Sequence, residues 1–223
     1  MNPSGPAVET LTNETGFLDE SPEELLQKVQ NGDRDAAFRL GAMYHDGQGV
    51  GQDYKKALDL FEQAGRAGDR RSMYNAGMMY LKGEGMETDY VAARRWFTQA
   101  SDAGNARAPY QLAQLYYQGL GTAQNFTKAR EAFDQSARKG MPEAQYNLGI
   151  MYIRGEGAAQ DAVLGYAWLA VARSYGYAKA TDALTKLEEQ LTDQMKKDGQ
   201  TKADALSDGI EAGKAVEQAQ GVD

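Results

Sequence analysis

The chain has 223 residues, a net charge of −8 at neutral pH, 25 Gly, one His and no Cys. The lack of Cys excludes disulfides, thiolate metal sites and Cys nucleophiles, and no run approaches the roughly 18 consecutive apolar residues of a membrane helix. Residues 1–20 carry four acids and no Lys or Arg, residues 178–223 carry ten acids against six bases, and residues 21–177 balance 18 against 18. Acidic flanks around a neutral body argue against nucleic acid and against anionic membranes, which select a basic stripe.

Residues 1–20 lack the basic start and apolar core of a signal peptide. They are expected to form a flexible acidic segment. Ser21 followed by Pro22, Glu23 and Glu24 reads as a helix start: a cap, a proline at the first helical position and acids in the first turn. A lone leading helix is predicted over 22–31, closed by Gly32 and serving as an N-terminal cap. Beyond it the sequence repeats every 36 residues. Tyr-His-Asp-Gly-Gln-Gly ends at Gly49, Tyr-Leu-Lys-Gly-Glu-Gly at Gly85, Tyr-Tyr-Gln-Gly-Leu-Gly at Gly121 and Tyr-Ile-Arg-Gly-Glu-Gly at Gly157. A fixed period of this length is the signature of a solenoid.

Each unit reads as two helices. In the first, helix A, small residues (Ala36, Ser72, Ala108, Ala144) precede Leu40, Ala76, Leu112 and Leu148 by four positions, and Tyr44, Tyr80, Tyr116 and Tyr152 follow four later. That spacing marks one helical face. Beside the Leu column stand Gly41, Gly77, Ala113 and Gly149, small enough for a partner helix to approach closely. Helix A is predicted to end at Gly47, Gly83, Gly119 and Gly155, since Gly takes the left-handed closing conformation at low cost. The second Gly of each pair is expected to relax the turn. Asp53, Asp89, Asn125 and Asp161 are N-cap residues for helix B. That helix runs through Phe61, Phe97, Phe133 and Leu169 and stops at Gly68, Gly104, Gly140 and Gly176. Residues 178–190 supply a fifth helix A through Ala180, Ala183, Leu184 and Leu187. Leu191, Thr192 and Asp193 open a polar C-terminal helix to about residue 217, a cap with an acidic tail to residue 223.

The pattern Ala-x-x-x-Leu-Gly-x-x-Tyr-x-x-Gly-x-Gly-x-x-x-Asp-x-x-x-Ala-x-x-Trp-Phe-x-x-Ala, followed most closely over 72–100 and 144–172, resembles the Sel-1-like repeats. The resemblance covers about residues 22–190. It implies an all-α protein: a right-handed superhelical solenoid of antiparallel helix pairs, similar to tetratricopeptide repeats and most often bacterial. The solenoid is placed at 21–190. Ala113 in place of Gly, Asn125 in place of Asp, and Ala162 with Gly165 depart from the pattern, the last two weakening the start of the fourth helix B.

The resemblance also implies a binding surface. By analogy with tetratricopeptide repeats, the helix-A column Phe38, Tyr74, Tyr110 and Tyr146 points into a concave groove. So do Ala42, Met78, Gln114 and Ile150, then His45, Leu81, Tyr117 and Ile153, with Asp35, Arg71, Arg107 and Glu143 alongside. The alternative is that the aromatics pack between neighbouring helices. The variable columns beside them favour the groove. Aromatic and Met side chains with Arg71 and Arg107 between them suit a peptide with apolar anchors and an acidic residue. Trp96 and Trp168, beside the Phe61 column, read as core.

Catalysis finds little support. A dinucleotide fingerprint needs a preceding strand and a third Gly, whereas here the paired Gly follows a helix and recurs four times. His45, the single His, makes neither a zinc site nor a triad. Glu84, Glu87, Asp89 and Glu156 lie on or near the interhelix turns of more than one repeat and do not form the paired carboxylates of a hydrolase, and no Asp-rich calcium loop is present. No cofactor is expected. The leading expectation is a non-enzymatic adaptor, scaffold or regulator binding a protein or peptide, its oligomeric state open with a monomer favoured. Its compartment is open: cytoplasmic, or exported if a signal peptide once preceded it. The alternatives are an inhibitor or immunity protein that blocks a cognate enzyme and, further off, a cell-wall-directed hydrolase.

Overall fold

The computed structural model describes residues 20–219, so the expected flexible acidic segment lies, apart from Glu20, outside the described residues. Eleven α-helices and no strand occur among the described residues. The chain divides into two compact units, Met1–Ala108 and Pro109–Asp223.

The first unit holds α1 (Pro22–Gln30), α2 (Arg34–Asp46), α3 (Tyr54–Arg66), α4 (Arg70–Lys82) and α5 (Tyr90–Asp102). α1 carries the expected N-terminus, with a reciprocal pair: the Ser21 hydroxyl accepts from Glu24 N, and the Glu24 carboxylate accepts from Ser21 N at 2.8 Å. Leu25 and Val29 are buried against Ala36, Ala37 and Leu40 of α2 and Leu60 and Ala64 of α3, which makes α1 an apolar lid on the first repeat. The next core layer joins Phe38 and Ala42 to Ala57, Leu58 and Phe61, then to Ala76, Met79 and Trp96.

The second unit holds α6 (Ala108–Gln118, opening on the last residue of the first unit), α7 (Phe126–Arg138), α8 (Pro142–Arg154), α9 (Ala162–Ser174), α10 (Ala178–Glu188) and α11 (Asp193–Ala219). The fifth helix A is α10, two residues shorter than expected. α9 lies between α8, α10 and α11, and every residue from Gly165 to Ala172 is buried. α11, 27 residues long, covers α9 and reaches α7, burying Ala203 and Ile210. Trp96 and Trp168 are core, 3% and 1% exposed.

The glycine and small-residue columns set the inter-helix distances. A Cβ at Gly77 would lie 2.7 Å from the Phe97 ring, so this helix-A position receives the aromatic ring of its own helix B. Ala162 and Gly165 do not weaken the fourth helix B. Asp161 caps α9 by accepting from Leu164 N at 2.8 Å, and a Cβ on Gly165 would meet the Gly149 carbonyl oxygen at 2.9 Å. The small residue lets α8 and α9 touch backbone to backbone. The second glycine of the interhelix turn likewise does more than relax it. Gly157 has φ +74°, and an added Cβ would collide with the carbonyl oxygen of Phe126, the first residue of α7 in the preceding repeat. The turn after one helix A therefore docks on the start of the preceding helix B.

Candidate groove on the second unit

Helix A of each repeat is started by a residue outside the columns that mark the period. Asp33 and Asp69 cap α2 and α4 with their carboxylates, and Asn105 Oδ1 accepts from Arg107 N and Ala108 N at 2.9 and 3.0 Å before α6. Met141 and Tyr177 occupy the same register before α8 and α10 and make no side-chain cap. At Tyr177 the ring is used instead: it packs on Tyr146 with centroids 5.4 Å apart.

The aromatic column behaves differently in the two units. In the first it is interior. Phe38 and Tyr74 are 4% and 0% exposed, and Met78, from the neighbouring column, is 1% exposed. Phe38 is covered by the Arg71 guanidinium, 4.2 Å above its ring, and Tyr74 packs against Phe97 at 5.7 Å. The expectation that these three side chains present a surface to a partner is therefore corrected: they are packed between helices. Arg71 is committed as well, held by Asp35 at 2.5 Å and Asp69 at 2.8 Å. Arg107 lies exposed in the turn before α6 rather than on the helix, and Leu81 is half-buried near the end of α4.

In the second unit the same columns are half-open. Tyr110, Gln114, Tyr117, Tyr146 and Ile150 are all partly exposed. A cleft of about 300 Å³ lies between α6 and α8. α6 contributes Gln114, Tyr117 and Gln118, α8 contributes Tyr146, Asn147, Ile150 and Arg154, and buried Phe133 and Met151 form the floor. A second cavity of about 460 Å³ lies on the other side of Tyr146, Ile150 and Arg154. Its far wall is α10, through Lys179, Asp182, Ala183, Lys186, Leu187 and Gln190. Residues 146, 150 and 154 are spaced by four, so they form one ridge along α8 with a trough on each side.

Several contacts fix this ridge and its walls. Gln114 Nε2 donates to the Tyr110 hydroxyl at 3.1 Å, and the Tyr110 ring stands edge-on to Phe133 at 5.7 Å. Burial, then the nearby Tyr177 and Glu143, push the Tyr110 phenol up to about 12, with the Asn147 amide opposing the rise, so it stays neutral at physiological pH. The Tyr117 hydroxyl donates to Glu156 at 3.0 Å, and Arg154 Nη1 donates to the same hydroxyl at 3.5 Å. Arg154 is further balanced by Glu156 at 3.8 Å. Lys179, Asp182 and Lys186 were absent from the sequence expectation. The signal was present: adding 36 to Glu143, Tyr146 and Ile150 gives these three positions.

Among the described residues no cluster of three or more His, Asp or Glu is placed to hold a metal ion, and no helix is long and apolar enough to cross a membrane.

Comparison with known proteins agrees with this geometry. No curated protein matches the chain. Among solved structures, c5321, a protective antigen of uropathogenic Escherichia coli strains with an SLR fold, superposes with a TM-score of 0.74 at 28% identity, covering 84% of this chain and 42% of that one. A Sel1 repeat protein from Oxalobacter formigenes superposes with a TM-score of 0.66 at 31% identity, covering 74% and 48%. The chain thus spans less than half the length of either protein. The immunity protein Pa5087 from Pseudomonas aeruginosa, at 19% identity and a TM-score of 0.45, aligns too loosely to carry an argument. Sel1 repeats, elements typically engaged in protein–protein interaction, are matched over residues 34–69, 70–105, 106–141 and 142–174. With four consecutive repeats over most of its length, each folded as a helix pair, the chain belongs to the Sel1 repeat family.

Proposed function

We propose that the chain is a non-enzymatic interaction module that holds a polypeptide segment of a protein partner in the groove of its second unit. The observation that carries this reading is the shared ridge: Tyr146, Ile150 and Arg154 of α8 flanked by cavities of about 300 and 460 Å³. Each is within the range of sites that take a few side chains, and two troughs either side of an apolar ridge suit a chain segment better than a small molecule. The groups offered are binding groups: amides from Gln114, Gln118 and Asn147, phenols from Tyr117 and Tyr146, and cations. Asp182 is the sole carboxylate among the lining residues, which leaves no acid–base pair of the hydrolase type.

The test is affinity capture with three proteins: wild type, Tyr146→Ala/Ile150→Glu, and Val91→Glu on the exposed face of α5 as a control. Helicity is checked for each. A partner held by wild type and by the Val91 variant but lost by the groove variant is expected. Equal capture by all three would move the working surface elsewhere.

A further inference from the structure

Given the groove proposed above, we infer that its occupant is an acidic, extended segment whose apolar side chains sit on the Tyr146–Ile150 ridge and whose carboxylates face α10. The two troughs differ in charge. Toward α6 the wall is neutral, built from Gln114, Tyr117 and Gln118. Toward α10 it carries Lys179 and Lys186 with Asp182 between them, and Arg154 stands at the ridge. This local excess of positive charge sits on a chain whose net charge is −8.

Five of the other ten lysines are paired. Lys28, Lys56, Lys82, Lys196 and Lys214 all lie within ion-pair distance of a carboxylate. Among the described residues neither Lys179 nor Lys186 forms an ion pair. Other acids of this unit have partners of their own: Glu188 accepts from the Tyr166 hydroxyl at 3.2 Å, Glu156 is with Tyr117 and Arg154, and Glu143 lies by Tyr110 and Tyr177. Asp182 is the one carboxylate among the residues that line this trough.

Spacing sets the form of the ligand. Lys179 and Lys186 are seven residues apart on α10, a separation of about 10 Å at the helical rise. In an extended polyproline-II segment, with three residues per turn and a rise of about 3.1 Å, residues i and i+3 share one face about 9 Å apart. Two carboxylates separated by two intervening residues would therefore reach both lysines. The two intervening side chains lie on the other two faces of the segment, from which an apolar one can meet the α8 ridge. Exposed charge pairs of this kind set specificity and salt dependence more than total affinity, which falls to the apolar ridge.

The experiment is selection of phage-displayed random dodecapeptides on the full chain at low salt, with the selected clones measured by fluorescence polarisation. Targets are wild type, Lys179→Glu/Lys186→Glu, and Ile150→Glu. Enrichment of apolar anchors with two acids separated by two residues is expected, with affinity reduced on the order of tenfold by the double lysine reversal. The reversed protein should in turn select basic peptides. A neutral or basic consensus on wild type overturns the inference. So do acidic clones indifferent to lysine reversal yet lost on Ile150→Glu, and both of these results leave the groove standing. Clones that bind wild type and Ile150→Glu alike, or no clone that depends on Ile150, overturn the groove itself and the inference with it.

Discussion

His45 Nε2 lies 3.1 Å from Glu84 Oε2, one repeat further along the chain, while its Nδ1 lies 2.6 Å from Asp46. Tyr117 and Glu156 repeat the relationship over the same interval of 39 residues. In each case the last turn of one helix A is tied to the carboxylate in the next glycine turn. At His45 both ring nitrogens face carboxylates, and only the imidazolium can donate to both. The Glu84 hydrogen bond, against burial and aided by Asp46, raises the imidazole above its ordinary 6.5. Burial pushes the Glu84 carboxyl up, but His45 and Lys82 outweigh it and hold it below its ordinary 4.5.

The pH dependence follows from these directions. The His45 contribution is complete below its unfolded value and is lost as pH rises through the raised folded value. The Glu84 contribution is present above its unfolded value and lost as pH falls through the lowered one. The pair therefore stabilises best between the two ordinary values, 4.5 and 6.5. His45→Leu should cost about 1 kcal/mol in that window and much less in alkaline buffer. Urea titrations of both proteins across pH check this, and a cost that grows as pH rises would contradict it.

Gly77→Ala is expected to destabilise the first unit. The substitution gains helix propensity but drives a methyl to 2.7 Å from the Phe97 ring, and overpacking costs about 1–3 kcal/mol. Gly213→Ala, on α11 with nothing within 4 Å of the new Cβ, is expected to stabilise by about 0.5–1 kcal/mol. Opposite signs in denaturant titration would establish that the helix-A glycine serves ring packing and the α11 glycine does not.

Tyr74→Ala and Tyr146→Ala separate core from groove. Tyr74 is fully buried, and loss of a buried aromatic costs about 3–5 kcal/mol. Tyr146 is partly exposed on the ridge, so its replacement should cost clearly less stability while weakening partner capture. Paired thermal denaturation and binding measurements read both effects. A larger stability loss at Tyr146 than at Tyr74 would reverse the assignment.

Ser21→Ala removes the hydroxyl half of the cap on α1 and should cost about 1 kcal/mol. Because α1 is a terminal element, the loss is expected as local fraying. Hydrogen exchange should quicken in 22–30 with little change in α8 or α9. Uniform acceleration through the chain would show that the leading helix is integral to the whole array.

The helix order, the turns and most caps follow from local chemistry, and the residues alone determine them. Gly47 and Gly83 close α2 and α4 in the left-handed conformation, and Asp53, Asp89, Asn125 and Asp161 each accept from a helix-B amide, because such preferences act within a few residues. The caps of helix A, Asp33, Asp69 and Asn105, are equally local and keep the 36-residue spacing, but their column then ends in Met141 and Tyr177, which hides it. Which members of the aromatic column are open was decided by tertiary structure. Phe38, Tyr74, Tyr110 and Tyr146 occupy one register, but the exposure of each depends on what lies over it: the Arg71 guanidinium on Phe38, the Phe97 ring beside Tyr74, and cavities on both sides of Tyr146. A repeat period places a side chain on a helical face, and only the packed neighbours determine whether that face meets protein or solvent.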